Sequence, residues 1–290
     1  MKRLSIAALC ILPLLACASS ENEKMQIARL SPAEKMVQRG DESLQKGNLR
    51  DAKYRYAVSL RLMQKTDDLK GMAGLYLKYS NLSLLEGDLE NARRFFDSGK
   101  VIVEKENYSN LKAETAIAEV SLLISEGKGD AAMKAAQAAL QKAPTGDKGK
   151  LANALGIAAL AQNDLTAAKG HFEQALSVGI TAKDASLESV ARVNLAQLLL
   201  KSGDYDGAIT HLQRSLELEK QAAATVSIGD TLHLVGMAYE GKKDMQNAAY
   251  FYRRALQVNL QGDMPKKVEA DKDAISRVET SPKPAVAEPK

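Results

Sequence analysis

Residues 156–172, GIAALAQNDLTAAKGHF, contain the pattern that decides the fold of this chain. A small residue, Gly156, and a large residue, Phe172, flank the turn-forming residues Asn163 and Asp164. Asn tolerates the left-handed conformation that ends one helix, and an Asp directly after it caps the next helix. The segment therefore predicts two helices that are joined by a tight turn.

The same pattern recurs along the chain at nearly constant spacing. An alanine comes four residues before the large residue of each unit, and these alanines are 40, 40, 36, 40 and 40 residues apart: Ala52, Ala92, Ala132, Ala168, Ala208 and Ala248. A small residue lies twelve positions before each alanine, except in the third unit, where Val120 takes that place and Ala136 replaces the large residue. Periods in this range are typical of solenoid proteins.

The pattern resembles the tetratricopeptide repeat, whose signature is W-x₂-L-G-x₂-Y…A-x₃-F…P. The resemblance covers about residues 33–262 and depends on Leu155-Gly156, Gly236-x₂-Tyr239, Ala168-x₃-Phe172 and Pro144. The Trp of the signature is absent, and the period is mostly 40 residues, longer than the 34 of the family. Longer helices or longer links between units would accommodate the extra residues.

The resemblance implies an all-α fold, a right-handed superhelical solenoid of six tetratricopeptide-like helix–turn–helix repeats. The segment Ser31-Pro32-Ala33-Glu34 predicts the start of the first helix, since it combines a capping box with Pro at the first helical position. Residues 263–279 predict a C-terminal capping helix, with one apolar side made of Met264, Val268, Ile275 and Val278. Residues 280–290 contain three Pro and predict a disordered tail.

The first residues of the chain predict export. Residues 1–3, Met-Lys-Arg, are positively charged, and residues 4–16 form an apolar run of 13 residues. A membrane-spanning helix needs about 20 residues, so this run is typical of a signal peptide. It ends in Leu14-Leu15-Ala16-Cys17, which resembles the lipobox of bacterial lipoproteins. Ordinary signal-peptidase cleavage after Ala18 is the alternative.

The lipobox resemblance implies that residues 1–16 are a lipoprotein signal peptide and that Cys17 carries the lipid, including a palmitate chain. Residues 17–32 would then link the membrane anchor to the repeats. The residue after Cys17 is Ala18 rather than Asp, which in enterobacterial lipoproteins implies sorting to the outer membrane. We therefore expect a lipid-anchored protein of the bacterial cell envelope that faces the periplasm.

Composition and motifs argue against several classes of function. Lys plus Arg number 40 against 36 Asp plus Glu, for a net charge of +4, and no basic block stands out. Nucleic-acid binding is therefore not expected. The sequence has no H-E-x-x-H, G-x-S-x-G or P-loop motif. We therefore expect no catalytic residues, no metal site, no cofactor and no enzymatic activity.

In the tetratricopeptide family the first helices of the repeats line a concave groove, and the resemblance implies a peptide-binding site there. Amide side chains suited to hold the backbone of an extended peptide are expected at Asn81, Asn153 and Gln197. His233 lies on the same side, either as a ligand contact or as a packed residue. Apolar lining residues are expected at Val37, Leu77, Ile117, Ile157, Val193 and Met237.

These features predict an outer-membrane-anchored periplasmic adaptor that binds protein or peptide segments. It would support the assembly or localisation of an envelope complex, such as pilus, secretion or cell-wall machinery. Two alternatives remain, a chaperone-like escort for exported polymers and a small-ligand or enzymatic protein with a cryptic site. Homo-oligomerisation through the convex face also remains open.

Overall fold

A computed structural model describes residues 30–262 and 264–280 of the chain. The predicted signal peptide, the lipidation site Cys17, most of the linker and nearly all of the tail lie outside these residues. The helices are α1 (Pro32–Gln45), α2 (Leu49–Lys65), α3 (Leu69–Glu86), α4 (Leu89–Lys105), α5 (Lys112–Ser125), α6 (Gly129–Lys142), α7 (Thr145–Ala161), α8 (Leu165–Ala182), α9 (Ala185–Ser202), α10 (Tyr205–Gln221), α11 (Thr225–Gly241), α12 (Met245–Gln261) and α13 (Pro265–Glu279).

The described residues form six helix–turn–helix pairs, α1–α2 to α11–α12, followed by the single helix α13. They contain no β-strand, and the all-α prediction is confirmed. The predicted capping box is present at α1, where Ser31 Oγ accepts from the Glu34 backbone N–H and Glu34 Oε2 accepts from the Ser31 backbone N–H. None of the described helices is both long enough and apolar enough to span a membrane.

The turn inside each pair follows the sequence prediction. Its second-last residue has a positive φ, between 75° and 83° at Gly47, Gly87, Gly127 and Gly203 and close to 60° at Asn163 and Lys243. The next residue caps the second helix in every pair except the third, where Lys128 makes no side-chain cap. The capping residues are Asn48, Asp88, Asp164, Asp204 and Asp244.

Longer helices, rather than longer links, account for the 40-residue period. The second helices of five pairs contain 17 or 18 residues, while the turns remain short. Helix α6 is the exception, with 14 residues. It ends before Ala143-Pro144, and Pro cannot continue a helix interior. The loss of about one helical turn explains the interval of 36 residues between Ala132 and Ala168.

Within most pairs, a small residue of the first helix faces a large residue of the second. A Cβ atom added to Gly156 would lie 2.5 Å from Phe172 Cε1, so no larger residue fits there without a shift. The third pair has the sizes exchanged, because Val120 packs in one cluster with Ala136. The close approach seen at Gly156 recurs between Gly40 and Tyr56 and between Gly236 and Tyr252.

The first helices lie on the inner side of the curved stack. Helices α3, α5, α7 and α9 each contact the next first helix, whereas such contacts between successive second helices are marginal at most in the described part of the chain. The stack also meets itself, because α11 contacts α1. Gly262 lies against the turn at Lys46 and Gly47. The six pairs therefore bring both ends of the solenoid together around the concave face.

Candidate functional site

The structure divides the predicted lining of the concave face into a buried centre and two accessible ends. Residues 151–160 of α7 are all buried, since α5 and α6 pack on one side of this helix and α8 and α9 on the other. Ile157 is 2% exposed and Asn153 is 6% exposed. In α3, Leu77 is 0% exposed. These three residues are core residues, which corrects their predicted place in an open groove.

The amide of Asn153 is engaged within the protein rather than turned to a ligand. Asn194 Nδ2 donates to Asn153 Oδ1 over 2.8 Å in the buried contact between α7 and α9. Periodicity places Asn153 on the inner side of its helix but cannot show how closely α9 approaches there. Asn194 was not among the predicted site residues, and the only signal for it was a second Asn at nearly one repeat distance.

The N-terminal segment of the concave face consists of partly exposed residues on α1, α3 and α5. They are Val37, Asp41, Lys78, Asn81, Glu114 and Ile117. Lys78 Nζ lies 3.1 Å from both carboxylate oxygens of Asp41, and Tyr56 Oη donates to Asp41 Oδ1 over 2.5 Å. The Asn81 side chain makes no hydrogen bond within the described residues. Its amide is therefore available to a bound chain.

Glu114 is the unusual group of this segment, and the sequence prediction did not include it. Its carboxylate makes no hydrogen bond to any described residue. Desolvation raises the pKa of Glu114, the neighbouring Asp41 raises it further, and the positive charges of Lys78 and Lys150 oppose the shift. Part of the free-energy cost of removing the Glu114 carboxylate from water is therefore not compensated by a partner.

The C-terminal segment of the concave face consists of Val193, Gln197, His233 and Met237 on α9 and α11, all partly exposed. The Gln197 side chain, like that of Asn81, makes no hydrogen bond within the described part of the chain. Of the ten predicted positions, seven therefore reach the accessible ends of the concave face. Both ends carry an amide that can donate to and accept from a peptide backbone.

His233 is held by a residue of the capping helix. Its Nδ1 lies 2.6 Å from Asp271 Oδ1, and its ring centroid is 5.0 Å from that of Tyr252. Asp271 is 0% exposed, and its Oδ2 accepts from Asn259 Nδ2 over 2.7 Å. His233 thus packs against α13 while about a quarter of its side chain, 26%, stays accessible. An acid on a polar-looking helix suggests solvent exposure, so the sequence did not indicate the role of Asp271.

Glu219 is a second acid that the sequence prediction did not include, and its burial makes it inaccessible to a ligand. It is 2% exposed at the contact of α9, α10 and α11. Ser189, Ser215 and Thr231 place hydroxyls 2.9–3.1 Å from its Oε1, whereas Oε2 has no partner within the described residues. Desolvation raises the pKa of Glu219 in spite of these hydrogen bonds.

The raised pKa of Glu219 predicts a pH-dependent stability. In the unfolded chain the pKa of this group lies near its ordinary value of 4.5. The folded state therefore gains stability from the protonated acid below this pH and loses it as pH rises towards the folded pKa. Relative to Glu219→Gln, the wild-type free energy of unfolding should fall by up to about 1.4 kcal/mol per pH unit in this window.

Urea unfolding at pH 4 to 8 measures this change in the free energy of unfolding. Glu217→Gln, at an exposed position, should follow the wild type, and parallel curves for all three proteins would contradict the prediction.

The accessible ends of the concave face carry polar groups that can contact a ligand. They are the amides of Asn81 and Gln197, the Asp41–Lys78 ion pair and the Glu114 carboxylate. No cluster of three or more His, Cys, Asp or Glu that could hold a metal ion occurs among residues 30–262 and 264–280. The first helices thus present hydrogen-bonding and apolar groups along a curved inner surface.

Sequence comparison agrees with this architecture for part of the chain. Residues 187–261 match the family model of the tetratricopeptide repeat. This segment contains nearly all of α9 and the whole of α10, α11 and α12, which are the fifth and sixth pairs. A comparison with curated proteins gave no match.

Three solved structures are similar to the chain. The Rap protein in complex with Competence and Sporulation Factor has a TM-score of 0.61 at 12% identity, with 89% of this chain and 78% of that chain covered. A STAND protein with a tetratricopeptide repeat sensor from Pyrococcus horikoshii has a TM-score of 0.54 at 16% identity. The alignment covers 85% of this chain but only 38% of that chain. PilW, a type IV pilus biogenesis factor, has a TM-score of 0.51 at 15% identity, with 83% and 98% covered. At these identities the likeness concerns the fold alone.

Proposed function

We propose that this protein is a scaffold that binds an extended protein segment along its concave face. The observation that carries the proposal is the pair of unpaired amides, Asn81 and Gln197, at the two accessible ends of that face. A partly exposed apolar residue lies in each of these two segments, Ile117 in the N-terminal and Val193 in the C-terminal segment. An extended segment offers backbone N–H and C=O groups to the amides and side chains to the apolar surface.

The proposal includes the place of the protein in the cell. The lipobox-like sequence ending in Cys17 supports a lipid anchor in the outer membrane, with the repeats in the periplasm. Three acyl chains would make release from the membrane negligible, because each buried CH₂ contributes about 0.8 kcal/mol. In this location the scaffold would assemble or localise an envelope complex. The fold likeness to the pilus biogenesis factor PilW makes pilus assembly the first system to examine.

Site-specific cross-linking of the full-length chain in its native envelope tests the proposal. A photo-reactive residue at position 81 or 197 should capture one dominant protein, whereas the same residue at exposed Gln174 on α8 should not. Cys17→Ser should remove the protein from the outer-membrane fraction and abolish the cross-links there.

Purified proteins then measure the contribution of the amides. Asn81→Ala/Gln197→Ala should weaken binding of the cross-linked segment by about tenfold or more, because two hydrogen-bonding groups are lost. Gln174→Ala/Gln213→Ala changes two exposed amides on second helices and should bind like the wild type. Full binding by the first double variant would refute the concave-face proposal. Many weak cross-linked proteins instead of one would favour the chaperone-like escort.

A further inference from the structure

The N-terminal segment of the concave face contains one carboxylate that the fold leaves without a partner. Glu114 is partly buried on α5, yet no described residue donates a hydrogen bond to it or forms an ion pair with it. Removing a carboxylate from water is costly unless a donor or a cation replaces the lost hydration.

Two positive charges act on Glu114, but neither forms an ion pair with it. Lys78 on α3 is engaged by both carboxylate oxygens of Asp41 on α1. Asp41 opposes the ionisation of Glu114, whereas the positive charges of Lys78 and Lys150 favour it. Lys150 on α7 is exposed and forms no ion pair with Glu114. An added cation would meet the Glu114 carboxylate and displace no existing ion pair.

Other acids of the same helix region show that the fold supplies partners where packing needs them. Glu119, also on α5, pairs with Lys100 of α4 over 2.8 Å. Glu126, directly after α5, is held by Arg93 at 2.7 Å and by Lys128 at 2.9 Å. Both acids therefore have their partners within the fold and need no ligand. Glu114 differs from them, since it faces the concave side and lacks a partner there.

We infer that Glu114 binds a lysine or arginine side chain of the protein segment that occupies the concave face. This inference rests on the proposed function and adds the chemistry of the partner. Ile117 lies one turn after Glu114 on α5 and is partly exposed, so it offers apolar surface to the aliphatic stem of such a side chain. Asn81 lies one turn after Lys78 and is placed to hold the backbone of the same segment.

Peptide pools of defined chemistry test the inference. Four fluorescent decapeptide pools, acetylated and amidated at their ends, carry Lys, Arg, citrulline or Glu at the fifth position and Ala, Leu, Asn or Ser elsewhere. Fluorescence anisotropy with the lipid-free mature chain measures their affinities. The Lys and Arg pools should bind about tenfold more tightly than the citrulline and Glu pools, as expected for one charge-assisted contact.

Two variants assign this preference to one carboxylate. Glu114→Gln should make the four pools bind equally, whereas Glu119→Gln should keep the full preference. Thermal unfolding checks that both variants are folded, and Glu114→Gln should be at least as stable as the wild type because it removes an unpaired charge. In the wild type, binding of the Lys pool should strengthen as pH rises, since Glu114 ionises only above its usual pKa.

The outcomes separate this inference from the proposed function. Equal binding of all four pools to the wild type would refute the basic-side-chain site and leave the concave-face proposal standing. An unchanged preference in Glu114→Gln would show that another group binds the positive charge of the peptide, and it would also refute the inference. If no pool binds, and position 81 captures no protein in the envelope, both proposals fail.

Discussion

Gly156→Val should destabilise the protein by about 3 kcal/mol, because overpacking at a closed contact forces neighbouring atoms out of place. A Cβ at this position would lie 2.5 Å from the fully buried Phe172 ring, so even the first added carbon clashes. Urea unfolding followed by circular dichroism measures the loss. Gly170→Val on α8 is the matched control. No atom lies within 4 Å of a Cβ there, and a stability close to that of the wild type is expected.

The same contact predicts that a second substitution rescues the first. Phe172→Ala alone should cost about 3–5 kcal/mol through the cavity it leaves. Gly156→Val/Phe172→Ala reproduces the Val120–Ala136 contact of the third pair and should cost clearly less than the sum of the two single changes. A favourable coupling energy of about 1–3 kcal/mol is expected for such touching residues. Additive effects would show that the two positions do not share one volume.

Asp271→Ala should have the second large effect, a loss of about 3 kcal/mol that is concentrated at the C-terminal end. Asp271 is fully buried, and its removal leaves the polar groups of His233 and Asn259 without their partner. Breaking a buried, hydrogen-bonded charged contact is costly for this reason. Hydrogen exchange should show α13, residues 265–279, losing protection first, while the helices of the first four pairs remain protected.

The neighbouring acid Asp273 provides the control for this prediction. It lies on the exposed side of α13, so Asp273→Ala changes the same charge on the same helix without opening a buried contact. Its exchange pattern should match that of the wild type. Equal loss of protection in both variants would mean that the charge of α13, rather than the buried contact at Asp271, holds the helix. Retained protection in Asp271→Ala would exclude a docking role for this residue.

For the concave face, the sequence predicted which helices line it but not which of their residues are exposed. Periodicity placed the predicted positions on first helices, and the structure confirms that these helices line the inner side of the stack. Periodicity assigned the same exposure to equivalent positions, however, although Asn81 is partly exposed and Ile157 is 2% exposed. The difference arises because α5 and α9 both close over the Ala-rich α7, whereas the ends of the stack are more open.

Local sequence patterns specify the helix–turn–helix pairs, their number and the caps of five of the six second helices. These features depend on residues close in the chain, such as Asn163 with its positive φ, Asp164 as an N-cap, and the sizes of Gly156 and Phe172. Local sterics and hydrogen bonds act over one or two turns of helix, so the spacing of residue types suffices to specify them.

The assembled fold, by contrast, sets which inner positions are accessible and which polar side chains contact each other. Asn153 with Asn194, His233 with Asp271, and Asp41 with Lys78 are 41, 38 and 37 residues apart in the chain. Their contacts depend on the angles between successive pairs. Each angle results from many small packing contributions, and the angles add up around the solenoid. No local pattern encodes that sum, so the partners of these polar groups become visible only when the six pairs are assembled.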